Sequence, residues 1–344
     1  MTATPAVSVI TPTRNRARLL RETLDCVAAQ TLPDWEHIVV GDGADAETAE
    51  LMAERTAADP RVTFMVRQSP NAGANVCRNI GIALARADLL VFLDDDDVLA
   101  AGCLAGRVEV MRRNPDLDFA VFRAEVFEHQ PGDLGRPYHR LDPADDLLRF
   151  LSLDCPWQTS GPIWRRSYIA GIGAFDEDLQ SLQDLELHVR ALCRRPRYLI
   201  APTTDHYVRA QLDAARTSTR HFHDPDVIRS SEAVPGKLLA HVERAGLLSW
   251  SRRRALLGLE FGAAERWVGA GRLGEALRSW REACRRMRAP ATISAGGALL
   301  LRLARLPGAQ NGWPSRLLNK WKGWVRFRQE PALTPAGPGT AASR

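Results

Sequence analysis

Lysine is almost missing from this chain: Lys237, Lys320 and Lys322 are the only three in 344 residues. Nearly all its positive charge is therefore arginine. Cysteine is sparse as well. Cys26, Cys77, Cys103, Cys155, Cys193 and Cys284 are scattered, with no C-x-x-C pair. That excludes cysteine metal-ligand spacing and argues against a disulfide framework, leaving reduced thiols as the expectation. No uninterrupted run of about 18 apolar residues occurs, so no membrane span is expected. The apolar stretch 293–306 is short and carries Arg302 and Arg305. The start, Met1 to Ala6, has neither the basic segment nor the apolar core of a secretory signal, which points to a cytoplasmic protein. No G-x-G-x-x-G follows the first apolar run, and Gly171-Ile172-Gly173 comes too late and is incomplete. A nucleotide-dependent oxidoreductase is set aside on that ground.

What is present is the composition of a globular protein, with 45% hydrophobic and 25% charged residues. The net charge of +5 hides an asymmetry. Residues 1–235 hold 26 basic and 35 acidic side chains, a balance of −9, whereas 236–330 hold 19 and 6, a balance of +13. An acidic front and a basic back predict two functional parts. The expected division is a tail at 1–6, an α/β domain at 7–234, a basic helical region at 235–330 and a disordered tail at 331–344.

The first 125 residues alternate short apolar runs with longer amphipathic stretches. Val7-Ser8-Val9-Ile10-Thr11, His37 to Val40, Val62 to Val66, Leu89 to Leu93 and Phe119 to Phe122 read as strands. The segments 19–30, 46–58 and 74–85 between them read as helices, with Asp45 a candidate N-cap. Fully apolar strands alternating with helices imply a parallel sheet covered on both faces. Ligands bind such sheets outside the carboxyl ends of the strands. Three of those ends are polar: Thr13-Arg14-Asn15-Arg16, Gly41-Asp42-Gly43, and the four aspartates Asp94 to Asp97. Residues 129–145, rich in glycine and proline, read as a loop or small flap. From about Pro235 the pattern is helical throughout, with 252–270 and 273–287 as a hairpin of two helices.

The four aspartates repel one another and call for a positive partner. A divalent cation that prefers oxygen answers this, and Mg²⁺ or Mn²⁺ can bridge a carboxylate and a diphosphate. The other explanation is a solvated acidic turn that caps a helix over 98–111, with Asp96 or Asp97 as the cap.

Several stretches, in order, resemble the family 2 glycosyltransferases. Phe92-Leu93-Asp94-Asp95-Asp96-Asp97 is similar to their D-x-D segment. The run Val7 to Arg16 resembles their opening strand and donor loop, with Arg14 where an aromatic is usual. Gln30-Thr31 and Ile38 to Gly43 resemble the nucleobase segment, although Gly41 and Ala44 replace a usual Asp and Ser. Asn71-Ala72-Gly73, followed by 74–81 with Arg78-Asn79, resembles a third motif. Gly173 to Glu177 and Gln183-Asp184-Leu185-Glu186-Leu187 resemble the acceptor side. The resemblance spans about residues 7–210. It implies the GT-A fold, a Rossmann-like mixed sheet with helices on both faces, and an inverting transfer from a nucleotide-diphospho-sugar with Mn²⁺ or Mg²⁺.

By that resemblance Asp96 ligates the metal, and Asp94 contacts the metal or the donor ribose; the neighbouring Asp95 leaves the register open by one residue. Asp42 accepts from the nucleobase imide, or is merely a favoured turn residue. Thr11, Pro12, Arg14 and Asn15 line the nucleoside. Arg78 faces phosphate or forms a structural ion pair with the acidic cluster. Asp184 is the candidate general base, against its other use as an acid at the start of a helix over 185–192. Trp157 and Gln158 are candidates for the acceptor pocket, though a tryptophan after Pro156 also suits a core. His206 is a further acceptor-side candidate or a packed histidine; it and Arg209 stand where some relatives place metal or phosphate contacts.

The chain's end adds Trp313, Leu317, Trp321, Trp324 and Phe327 interleaved with Arg316, Lys320, Lys322, Arg326 and Arg328. Such a basic amphipathic stretch, 313–328, suits the inner face of a membrane and a lipid-linked acceptor, or packing on the acidic domain. No nucleic-acid motif accompanies the charge. The expected function is glycosyl transfer to a glycan or lipid-linked hydroxyl in bacterial surface polysaccharide synthesis, with UDP the carrier that family frequency favours. The alternative is a non-catalytic carbohydrate-binding scaffold of the same fold.

Overall fold

The computed structural model describes residues 4–67, 73–140, 145–210 and 224–305. Its first strand, β1 (Val7–Thr13), is buried at every position, as a central strand covered on both faces must be. After it come α1 (Ala17–Ala28), β2 (Trp35–Asp42), α2 (Ala46–Ala58) and β3 (Val62–Arg67). Asp45 caps α2 by accepting from the Thr48 amide, as expected. Next are α3 (Ala74–Leu84) and β4 (Leu89–Phe92). These four strands pair in parallel, β2 with β3, and β1 with both β2 and β4.

The helix expected over 98–111 does not start there. Val98 and Leu99 form a short strand, β5 (Val98–Leu99), and α4 (Cys103–Arg113) begins after Gly102 with no side-chain cap. The reason lies far along the chain. β9 (Tyr198–Arg209) returns to the aspartate turn and pairs Tyr207 with Val98 and His206 with Leu99. Between them run β6 (Phe119–Phe127), β7 (Arg136–Pro137), α5 (Asp146–Leu151), β8 (Pro162–Arg165), α6 (Arg166–Gly171) and α7 (Gln183–Cys193). β7 makes the expected flap, folding against β6.

The sheet is mixed, in the order β3-β2-β1-β4-β8-β6-β9-β5. The parallel order reverses beside β1, and the crevice between β1 and β4 is where such sheets bind ligands.

The all-helical part opens ten residues earlier than expected. Helix α8 (Pro225–Arg244) carries Pro235 inside it. It is followed by α9 (Trp250–Gly269), α10 (Leu273–Arg286) and α11 (Ala291–Ala304). The hairpin of α9 and α10 turns at Gly271, whose φ of 76° favours glycine. One continuous apolar core joins Phe92, Phe119 and Trp164 of the sheet to Leu187 of α7, Leu238 of α8, Leu256 of α9 and Trp280 of α10. Among the described residues no helix is long and apolar enough to cross a membrane. The basic stretch 313–328, the expected tail 331–344, and Asn71 and Ala72 lie outside the described residues.

Candidate active site

Each polar strand end lies on the same edge of the parallel half of the sheet, because β2, β1 and β4 run side by side in one direction. β4 delivers the four aspartates into a tight turn, with the Asp97 amide donating to the Asp94 carbonyl at 3.2 Å. The four side chains do different things. Asp94 is about one-third exposed and accepts from Arg78 Nη2 at 2.6 Å. Asp95 is buried, accepting from Thr13 Oγ1 at 2.7 Å and from Arg16 Nη1 at 3.2 Å. Asp96 is buried and lies 3.1 Å from the same Arg16 nitrogen.

Asp97 does not cap a helix. Its carboxylate faces the Arg209 amide at 3.2 Å, Ser160 Oγ at 3.4 Å and Gln158 Nε2 at 3.5 Å, tying the turn to β9.

Burial pushes the Asp95 carboxyl up to about 6, even though Arg16 and Thr13 favour its charged form. Burial also works against the Arg16 cation, but Asp95, Asp96 and Asp94 outweigh it and raise its pKa. Arg16 is thus the positive partner that the acidic run demanded. After Arg16 and Arg78, Arg209 is a third cation at the turn, donating from Nε to the Asp96 carbonyl at 3.1 Å and pairing with Glu22.

Among the described residues no three His, Cys, Asp or Glu side chains converge as a complete metal-ligand set. Asp94 and Asp96 nevertheless offer hard oxygen donors on one turn. A Mg²⁺-like ion needs only one or two carboxylates when diphosphate and water supply the rest. The donor set fits a cation shared with a substrate better than a resident structural one.

Asp42 ends β2 and is nearly buried, with Arg14 3.9 Å away and itself largely exposed. Its Oδ1 is buried with no hydrogen-bond partner. Gly41 cannot be an aspartate here: a Cβ would come within 2.9 Å of the Gly43 carbonyl oxygen and 3.3 Å of the Phe64 ring.

The donor-loop residues divide. Thr11 turns inward to His37 Nε2 at 2.9 Å, and Pro12 is buried. Asn15, with φ 53°, is exposed, and its Oδ1 accepts from the Asp45 amide at 2.8 Å. This joins the loop after β1 to the loop after β2.

Arg78 is 4% exposed on α3, and its Nε and Nη1 are buried without partners. Asp184, on the first turn of α7, interacts with both Arg78 and Asp94. Burial raises its pKa, opposed by its bond from the Leu185 amide and by Arg78, and reinforced by Asp94. The candidate base thus lies within electrostatic reach of the Arg78–Asp94 pair, although 90 positions separate Asp94 from Asp184 in the chain.

The acceptor-side candidates fare differently. Trp157 is 2% exposed and packs on Phe119, Phe150, His188 and Tyr198, so it is a core residue. Gln158 and His206 line a small cavity together with Trp157, Tyr138 and His139. That cavity, about 10 Å³, holds about one water and no sugar ring. His206 is fully buried, with Nδ1 2.9 Å from Asp205 and 3.1 Å from Arg107. Burial lowers its pKa. Arg107, also fully buried, grips Asp205 in a fork at 2.7 and 2.8 Å and holds that carboxyl down near about 2 against its burial.

Thr13 and Arg16, which the sequence offered only as part of a polar loop, hold the aspartate turn together with Arg209, and no motif in the sequence announced the Arg107–Asp205 pair. The available signal was Arg16 itself, a second arginine in a loop that β1 sets beside β4.

Residues 8–167 match the family described as glycosyl transferase family 2. Over 101 residues, 29% of it, the chain is 34% identical to a GalNAc(5)-diNAcBac-PP-undecaprenol beta-1,3-glucosyltransferase of Campylobacter jejuni. Over 188 residues, 54% of it, the chain is 28% identical to the O-antigen biosynthesis protein RfbC of Myxococcus xanthus. These matches cover only 33% and 14% of the two relatives' own lengths. Among solved structures, TarS 1-349 of S. aureus in complex with UDP-GlcNAc aligns with a TM-score of 0.63 at 18% identity, covering 93% of this chain and 90% of that one. The mannosyltransferase PcManGT of Pyrobaculum calidifontis, in complex with GDP-Man and Mn2+, gives 0.53 at 18% identity, covering 94% and 86%. At such identities the likeness is one of fold, the GT-A arrangement with helices after it.

Proposed function

We propose that the chain, whose residues 8–167 match glycosyl transferase family 2, transfers a sugar, with inversion, from a nucleoside diphosphate donor to a hydroxyl of a glycan or lipid-linked acceptor. The observation that carries this is the placing of Asp42 and Asp94 at strand ends on either side of β1, with Arg78 paired to Asp94 at 2.6 Å and Asp184 within electrostatic reach of both.

Asp42 Oδ1 is a buried acceptor with no partner among the described residues, which suits a nucleobase imide N–H. Uracil and guanine both present one; UDP is the preferred carrier. Thr11 and Pro12 shape the floor of the nucleoside site from the buried backbone, while Arg14 and Asn15 border it. Asp94 and Asp96 would hold Mn²⁺ or Mg²⁺ together with the donor diphosphate. A bound dication supplies Lewis-acid stabilisation to the leaving diphosphate. Arg16 and Arg78 offset the negative charge of the clustered carboxylates through direct ion pairs.

Asp184 takes the proton of the acceptor hydroxyl as its oxygen bonds to the anomeric carbon. The bond from that carbon to the diphosphate oxygen breaks, and the nucleoside diphosphate departs with the electron pair. Attack from the face opposite the leaving group gives inversion. Burial raises the Asp184 pKa, which makes the carboxylate a better base.

A bacterial surface polysaccharide is the proposed context, supported by the named Campylobacter and Myxococcus relatives. The basic stretch 313–328 would then hold the enzyme on the inner face of the membrane, beside a lipid-linked acceptor.

Assays of a nucleotide-sugar panel with Mn²⁺ or Mg²⁺ test the reading. Turnover should require the metal and vanish in Asp96→Ala. Asp184→Asn should lower kcat by about 10²–10⁴-fold while still binding donor. Absence of metal-dependent turnover with every donor would leave the non-catalytic scaffold standing.

A further inference from the structure

The segment 172–182, between α6 and Asp184, belongs to no helix or strand except for Leu182 as the cap of α7. It enters and leaves through left-handed backbone: Ala174 has φ 53° and Leu182 has φ 57°. Neither is glycine, so surrounding contacts must hold the segment in place.

Those contacts come from two sides. From α3, Asn75 Nδ2 donates to the Asp176 carbonyl at 2.7 Å and the Leu179 carbonyl at 3.0 Å. Asn79 and Phe175 exchange hydrogen bonds in both directions, each 2.9 Å long. From α8, in the C-terminal helical part, Lys237 pairs with the Asp176 carboxylate and lies 3.8 Å from Asp178. Ser230 Oγ accepts from the Gln180 amide at 3.1 Å. One turn inside α7, His241 Nε2 meets the buried Glu186 carboxylate at 2.9 Å. Arg190 grips the same carboxylate at 2.8 Å and donates to the Ala174 carbonyl at 2.6 Å.

The site therefore stands between two helices with different tasks. α3 carries Arg78 to Asp94, on the donor side. α8 bonds both to the segment before Asp184 and to the helix that presents it. The Lys237–Asp176 pair is partly exposed, at 34% and 21% of the side chains. A pair so placed adds little to overall stability. Its consequence is local: a charged tether at the middle of a segment with no ladder of its own.

We propose that Lys237 is a positioning residue for the transfer reaction, fixing segment 172–182 and so the place of the Asp184 carboxylate, with Ser230 and His241 as its companions on α8. The C-terminal helices then complete the acceptor half of the active site. This rests on Asp184 being the base.

The test uses the full chain, with Lys237→Met, Lys237→Arg and Asp184→Asn compared in steady-state transfer, together with thermal unfolding. Lys237→Met should lower kcat by about tenfold to a hundredfold, the scale of a small misplacement of a reacting group. Its donor KM and its unfolding temperature should stay at wild-type values, since α3 and the core are intact. Lys237→Arg reaches the same carboxylates and should restore most of the rate. A Lys237→Met enzyme with wild-type kcat overturns the proposal, as does a loss that follows the unfolding temperature and is not rescued by arginine. If Asp184→Asn instead keeps full activity, the base assignment itself falls, and the positioning role falls with it. An inactive Asp184→Asn beside a fully active Lys237→Met condemns the positioning role alone.

Discussion

Asp42 owes its place to two neighbours that leave it little choice. Gly41 has no room for a side chain, and Gly43, at φ 80°, bends the chain away immediately afterwards. The carboxylate stays at the strand end with one oxygen buried and unpartnered, which is costly unless a ligand supplies a donor. A charge-assisted hydrogen bond to a nucleobase is worth about 1.5–3 kcal/mol. Asp42→Ala should therefore raise the donor KM by about tenfold to a hundredfold and leave kcat little changed, the mark of lost uniform binding. Titration calorimetry with the nucleoside diphosphate alone should show the same loss; an unchanged affinity would return Asp42 to the role of a turn residue. Asp42 and the aspartate run were legible in the sequence because each is a local anomaly, a charge where an apolar strand stops. The pairing of Arg16, of Arg209 and of Arg107 with Asp205 was not. Their partners lie 80, 113 and 98 positions away, and only the strand register brings them together.

At the scale of the element, α3 shows how packing places chemistry. Gly81 lies directly on β1: a Cβ there would come within 2.3 Å of Ile10 Cγ2, and Ile10 is wholly buried and branched at Cβ. This close approach lays α3 along the strand that leads into the donor loop, with Arg78 aimed at Asp94. Gly81→Ala should destabilise the protein by about 1–3 kcal/mol, despite the better helix propensity of alanine, because the core must give way. Urea unfolding measures this, and a variant as stable as wild type would show that α3 can lift without cost. The same scale explains the misplaced helix. Val98 and Leu99 have the apolar pattern of a helix start, and four aspartates ahead of them look like an N-terminal acidic turn. The structure spends them instead on pairing β9, a strand that arrives a hundred residues later, and no local periodicity announces it. Trp157 was open for the opposite reason: an aromatic after a proline suits a sugar or a core, and only the ring packing decides.

For the whole molecule, the central fact is that the C-terminal helices share one core with the sheet. Their charge is concentrated where α8, α9 and α10 meet, around Glu260, which is 1% exposed. Arg286 of α10 pairs with it, Glu232 of α8 is a nearby like charge, and Arg272 and Arg278 line the same cleft. Burial pushes the Glu260 carboxyl up to about 7, with Arg286 working the other way and Glu232 adding to the rise. Below its ordinary value of 4.5 the group is protonated whether the chain is folded or not. Between there and about 7 only the folded chain keeps the proton, so stability falls as pH rises through that window and levels off above it. The full loss is on the order of 3 kcal/mol. Glu260→Gln keeps an acceptor for Arg286 and removes the buried charge. The variant should match wild type near pH 5 and unfold at a higher temperature at pH 8, with the gap opening between those values. Calorimetric melts of both proteins across that range check it. A gap that stays constant with pH would mean that Glu260 is charged throughout and that Arg286 fully compensates its burial.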